Sequence, residues 1–174
     1  MTKPITLLAN ILNEFINSDS GRRKKRIVKL FEIAEERDRS GFEKWLQFEL
    51  ALFLKEAEID IHDFEIEYRL NDFNVLVDLF VTTVGMKNLA IELKVRSKQA
   101  HAIKAIKEDI EKLSEIKFQK ENTTGIAVAL FKGDMMRTKR TELRKSIGEF
   151  LPNGISGLET VSADDQFTFL LVEL

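Results

Sequence analysis

Asp78, Glu92 and Lys94 are charged residues set into two otherwise apolar runs, Phe73 to Val81 and Leu89 to Val95. Packing alone would favour hydrophobic side chains at all three positions, because a buried, unpaired charge is costly. Asp78 and Glu92 are equidistant from Gly85, so a symmetric reversal over Thr82 to Asn88 places the two acids opposite each other across a hairpin. Directly opposed residues of an antiparallel pair have Cβ atoms roughly 4.5–5.5 Å apart, where like charges destabilise the pair. A divalent cation between them would remove that penalty. Strand side chains alternate faces, so Lys94 points the same way as Glu92. Acid, acid and ammonium on one face suit a hard cation such as Mg²⁺, which keeps water positions open for phosphate oxygens. Such an ion polarises a phosphodiester and activates a bound water, while the ammonium stabilises the charge that develops. A plainer reading stays open: Asp78 as a strand-end acid in solvent, and Glu92 with Lys94 as a structural ion pair.

Other chemistries lack their residues. The 174-residue chain has no cysteine, which excludes disulfides, Cys-ligated zinc and a thiol nucleophile, and agrees with a reducing cytosol. His62 and His101 have no partner at metal-binding spacing, and neither a Gly-x-Ser-x-Gly elbow nor a Gly-rich phosphate loop is present. With 27 basic against 29 acidic residues, a nucleic-acid footprint must come from clustering. No apolar stretch reads as a signal peptide or membrane span, so the expected location is cytoplasmic with no membrane partner.

The elements that must position these residues follow from periodicity. Leu8, Ile11, Leu12 and Phe15 form one helical stripe and Ile27, Leu30, Phe31 and Ala34 a second, separated by Asn17 to Gly21. A break at Ser40-Gly41 precedes a third helix, Phe42 to about Ala57, with Phe42, Trp45, Leu46, Leu52 and Phe53 on one side and Glu49 amid that face. Past Asp60 the period becomes two, giving a half-buried strand over Phe64 to Leu70, a turn at Asn71-Asp72, and two strands covered on both faces. A helix with Ile103, Ile106, Ile110 and Leu113 inside follows, with Lys104, Glu108, Glu111 and Lys112 mainly outside. Gly125 to Phe131 reads as a buried central strand, Met135 to Phe150 as a basic helix, Pro152 to Asp165 as loop, and Phe167 to Val172 as a last strand. The expected fold is α/β, a mixed central sheet flanked by helices.

An Asp in one strand, followed fourteen positions later by Glu92-Leu93-Lys94 in an apolar strand, resembles the PD-(D/E)XK, or restriction-endonuclease-like, nuclease superfamily. The order of elements from Phe42 to Phe131 looks like that family's αβββαβ core, and Asp109-Ile110-Glu111-Lys112-Leu113 is similar to a stretch common in it. The proline that often precedes the first acid is Val77 here. The resemblance implies residues 1–40 as an N-terminal helical extension and 41–174 as a nuclease-like domain. It implies Asp78 and Glu92 as metal ligands with the Leu93 carbonyl as a third, Mg²⁺ as cofactor and Mn²⁺ as substitute. Lys94 would then orient the attacking water or stabilise the pentavalent phosphorus, and Glu49, the upstream helical acid, would hold a second ion or a metal-bound water.

Two basic clusters bear on the substrate. Arg22-Arg23-Lys24-Lys25-Arg26 starts a helix whose end carries Glu35-Glu36, an order the helix dipole disfavours, so binding of a polyanion is the expected reason for it. Arg137, Arg140 and Arg144 share a second helical face. Basic surfaces on either side of an acidic pocket suit a nuclease, since phosphate contacts carry non-specific affinity. The expected activity is metal-dependent endonucleolytic hydrolysis of DNA. The alternatives are a catalytically silent nucleic-acid-binding or assembly protein of the same fold, and a helper subunit. The N-terminal apolar stripes, if left uncovered, would serve a homodimer.

Overall fold

The computed structural model describes residues 3–36, 42–56, 61–70, 75–117, 122–134, 137–150 and 155–174, with backbone alone at 36, 115–117, 137–139 and 148–150. Along them run α1 (Pro4–Asn17), α2 (Arg22–Glu36), α3 (Glu43–Glu56), β1 (Ile61–Leu70), β2 (Val75–Thr83), β3 (Asn88–Arg96), α4 (Gln99–Lys117), β4 (Thr123–Lys132), α5 (Arg137–Phe150), β5 (Gly157–Ala163) and β6 (Phe167–Glu173). The breaks expected at Ser40-Gly41, Asn71-Asp72 and Pro152-Asn153-Gly154 lie outside the described residues.

The strands form one mixed sheet in the order β1-β2-β3-β4-β6-β5. β3 and β4 are parallel, and the other neighbours are antiparallel. A parallel pair needs a long crossover, which α4 supplies. Central position explains composition: every residue of β4 except Lys132 is buried.

Helices cover both faces. The first core joins Leu12 and Phe15 of α1, Ile27 and Phe31 of α2 and Leu46 and Leu50 of α3 to Leu79, Ile91, Leu93 and Val128. The second joins Ile106, Ile110 and Leu113 of α4 and Leu143 and Ile147 of α5 to Phe80, Ala90, Ala127 and Leu170.

The N-terminal helices are thus a layer of this domain. All the apolar residues expected along α1 are buried, and the Glu173 carboxylate accepts the otherwise orphaned N–H of Ile5 at 3.0 Å, tying the helix start to β6. The α1 stripe is covered by β5 and β6, and on α2 Ile27 and Phe31 are buried while Leu30 and Ala34 are half-buried. Leu52, expected inside, is 49 % exposed beside Phe48 at 60 %, because α3 turns Leu46, Gln47, Leu50, Phe53 and Leu54 inward instead.

The expected loop to Asp165 contains β5. Its polar residues Glu159, Thr160 and Ser162 obscure the alternation, but as an edge strand it buries only Leu158, Val161 and Ala163. Asp164 and Asp165, at φ 44° and 58°, form the tight turn into β6, with the Gln166 N–H donating to the Ala163 carbonyl at 2.9 Å. No helix among the described residues is long and apolar enough to cross a membrane.

Gly125 sets how closely α4 lies on β4. A Cβ there would stand 3.0 Å from Leu113 Cβ and 3.3 Å from Leu174 Cδ1, so helix and C-terminus would have to yield. Gly125→Ala is therefore expected to destabilise the protein by about 1–3 kcal/mol, read by urea denaturation. An unchanged midpoint would contradict this close contact.

Candidate active site

β2 and β3 form a ladder with Leu79 opposite Ile91, Phe80 opposite Ala90 and Val81 opposite Leu89. The same register carried one step further would pair Asp78 with Glu92, and there the ladder ends. β2 stays with β1 as far as Val75, while β3 stays with β4 as far as Arg96. The sheet opens into a fork whose crotch holds the two acids.

Parting strands strand their backbone groups, which buried structure does not tolerate unpaired. The Leu93 N–H donates to Asp78 Oδ2 at 2.8 Å, the Val95 N–H to Glu43 Oε1 at 3.0 Å, and Lys112 Nζ donates to the Leu76 carbonyl at 2.6 Å. Charged side chains thus replace the missing ladder. Asp78 also marks a break in alternation: Val77 packs in the core under α4 and Leu79 in the opposite one. Across β1 the bracketing pairs Ile66 with Leu79 and Tyr68 with Val77 leave Glu67 facing Asp78, and Glu67 has φ 52°. A non-glycine residue there stores strain on the order of 1–3 kcal/mol.

The three residues singled out by sequence are brought together. Lys94 Nζ lies 3.6 Å from Glu92 Oε2 and 3.9 Å from Asp78 Oδ2. Two residues from α4 join them. Asp109 Oδ1 is 3.6 Å from Lys94 Nζ, and Lys112 Nζ donates to Glu92 Oε1 as well as to Leu76. Lys112, expected outside, turns inward because the fork offers it a carboxylate and an orphaned carbonyl. α3 contributes Gln47, whose amide donates to Asp78 Oδ1, and Glu43 one turn earlier, which holds Arg96. Asp109 and Gln47 had a legible signal, since each is a polar residue on an apolar helical stripe, beside Ile110 and Leu46 respectively.

Burial dominates the electrostatics. Glu92 is 2 % exposed, and desolvation first, then the charges of Asp78 and Asp109, raise its pKa to about 7 against the pull of Lys112. Asp109 is raised by desolvation to about 6, although Lys94 and Lys112 lower it. For Lys94, burial alone would lower the pKa, but the charges of Asp109, Asp78, Glu92 and Glu43 together raise it. The surrounding carboxylates therefore favour the cationic form of Lys94 in the ion-free protein.

Glu49 is placed elsewhere. It lies 2.8 Å from Arg26 and 3.7 Å from Arg23, so it ties α3 to α2 while Gln47 faces the acids. Two residues on a helix are about 200° apart, and only one of the pair can face Asp78.

The basic clusters are also redistributed. Arg23 lies 5.1 Å and 5.3 Å over the rings of Phe15 and Phe53 and pairs with Asp19 and Glu49, and Lys24 pairs with Asp164 at the β5–β6 turn. These partners account for Arg23 and Lys24, while Arg22, Lys25 and Arg26 are exposed. Arg140 donates to the Leu158 carbonyl at 2.7 Å and holds α5 over edge strand β5, three strands from β3; Arg144 is exposed, and the Arg137 side chain is outside the described residues. The two clusters belong to helices on opposite faces of the sheet. Arg23→Ala is expected to cost about 2 kcal/mol through the lost ring and carboxylate contacts, with Arg22→Ala near zero, both read by thermal denaturation. Equal effects would contradict this placement.

Among the described residues no group of three or more His, Asp or Glu side chains is arranged ready to hold a metal. The carboxylate oxygens point at amines and amides instead. The donor chemistry nonetheless fits a hard divalent cation: Asp78, Glu92 and the Leu93 carbonyl are oxygens, and Asp109 Oδ2 is buried with no hydrogen-bond partner among the described residues. A cavity of about 370 Å³ between α4 and α5, lined by Gln99, Ile103 and Leu143, involves none of these residues. Comparison of the chain with protein-family models, with curated proteins and with solved structures returns no match.

Proposed function

We propose that the protein is a metal-dependent nuclease of the PD-(D/E)XK type that hydrolyses phosphodiester bonds in DNA, with α3 to β4 as its restriction-endonuclease-like αβββαβ core. The observation that carries this reading is the fork: two carboxylates at opposed positions one step past the last β2–β3 pair, with a lysine ammonium within 4 Å of both. A surface ion pair would not require the sheet to split and strain Glu67.

Asp78, Glu92 and the Leu93 carbonyl would hold Mg²⁺, or Mn²⁺ in its place, and Asp109 offers a further oxygen. The bound ion would polarise the phosphodiester and acidify a water. The Lys94 ammonium would stabilise the negative charge that grows on the phosphoryl oxygens and donate to the attacking water. Gln47 and the Leu93 N–H fix the Asp78 carboxylate, and Glu43 fixes the backbone of β3 beyond Lys94. Preorganised donors of this kind avoid reorganisation during the reaction.

The test is incubation of the purified chain with supercoiled plasmid, single-stranded DNA and RNA in Mg²⁺ or Mn²⁺. Cleavage of DNA that chelation abolishes is expected; no product from any substrate with either ion would refute the reading. One observation favours a second reading, a catalytically silent nucleic-acid-binding or assembly protein: Lys94 and Lys112 already neutralise the acids without an ion. That reading predicts DNA binding that ignores divalent ions.

A further inference from the structure

The geometry points to Lys112 as an internal counter-ion that closes the fork and must be displaced before a divalent cation can enter, a regulation of the proposed site that rests on the nuclease reading. Lys112 Nζ touches both prongs at once, Glu92 Oε1 on β3 and the Leu76 carbonyl on β2. A carboxylate oxygen and a backbone carbonyl are what a hard cation seeks, so the ammonium stands where such an ion would find donors. This accounts for the acids being neutralised but not arranged around a metal.

Lys112 and Lys94 differ in how they are held. Lys94 is anchored on β3, is 24 % exposed at its side chain and faces three carboxylates. Lys112 reaches in from α4, is 38 % exposed at its side chain and, among the described residues, has one carboxylate within ion-pair distance, so it is held by two close contacts at the mouth of the fork and has a path out to solvent. One turn earlier on the same helix, Asp109 keeps a buried oxygen with no donor among the described residues. Withdrawal of Lys112 frees Glu92 Oε1 and leaves Asp78, Glu92 and Asp109 facing Lys94. The released ammonium remains tethered at the rim, where a phosphate would be a suitable partner.

The test is calorimetric titration of Mn²⁺ into the wild-type chain, Lys112→Gln, Lys112→Arg and Lys104→Gln. Gln keeps a donor for Leu76 but removes the charge, and Lys104, 80 % exposed at its side chain, controls for net charge. Loss of a charge-assisted hydrogen bond that competes with the ion is expected to tighten Mn²⁺ binding about tenfold in Lys112→Gln. Lys112→Arg and Lys104→Gln are expected to show no gain. If the wild type binds Mn²⁺ and Lys112→Gln binds it no more tightly, the counter-ion role is overturned while the nuclease reading stands. If neither binds, both fall. A measurement on the wild-type chain needs no variant to fold: saturating Mn²⁺ is expected to raise the acetylation rate of Lys112 severalfold relative to Lys104, read by mass spectrometry. An unchanged ratio would overturn the displacement.

Discussion

Lys94→Ala is expected to lower the rate of metal-dependent DNA cleavage by about 10²–10³-fold, with the loss in kcat rather than KM. The ammonium faces Asp78, Glu92 and Asp109, and in the proposed reaction it meets the charge that appears only as phosphorus becomes five-coordinate. An interaction confined to the transition state leaves substrate binding little altered. Lys94→Arg is expected to restore little, because a planar guanidinium on a longer stem cannot occupy a point between three carboxylates spaced for an ammonium. Steady-state kinetics on plasmid nicking checks both variants. Cleavage that survives Lys94→Ala would place the activity at another site.

Glu92→Gln is expected to abolish cleavage and at the same time to stabilise the ion-free protein at about pH 8. Burial raises the Glu92 carboxyl to about 7 from 4.5, so between those values the folded chain binds more protons than the unfolded one. Stability therefore falls as pH rises through that window, and above about 7 the whole cost is present. The shift corresponds to about 3 kcal/mol, which the uncharged amide avoids while its carbonyl still accepts from Lys112. Asp109, raised to about 6 from 3.8, adds a decline of the same sign at lower pH. Thermal melts from about pH 4 to pH 8 check the prediction: the wild type loses stability across the range and Glu92→Gln loses less. A structural ion pair predicts the reverse, a variant less stable than wild type at neutral pH. A gain in stability with a loss of activity is the expected trade-off at a functional site.

Much of this site was legible in the sequence because strand registers count. Equal spacing of Asp78 and Glu92 about Gly85 anticipates the register of β2 and β3, and alternation anticipates Lys94 on the Glu92 side. What spacing does not carry is the response of the sheet to two opposed acids, which is to split. The split recruits Glu43, Gln47, Asp109 and Lys112 from helices whose separation in sequence says nothing about distance. Glu49 shows the limit most clearly. It lies two residues from Gln47, and only the packing of α2 decides that Glu49 meets Arg23 and Arg26 while Gln47 meets Asp78. Within the run from Arg22 to Arg26, the structural pairing of Arg23, Lys24 and Arg26 was not legible, because their partners Glu49 and Asp164 come from α3 and a distant hairpin turn. β5 was hidden by being an edge strand with polar residues on its open side.

The central claim is that the forked sheet gathers Asp78 and Glu92 into a divalent-cation site. Electron paramagnetic resonance of Mn²⁺ titrated into the wild-type chain at about pH 8 tests it directly, because bound ions lose the sharp signal of the hydrated ion. The account predicts that the wild-type chain depletes that signal and that Glu92→Gln restores most of it. A wild-type signal equal to that of buffer, or equal depletion by both proteins, would contradict it.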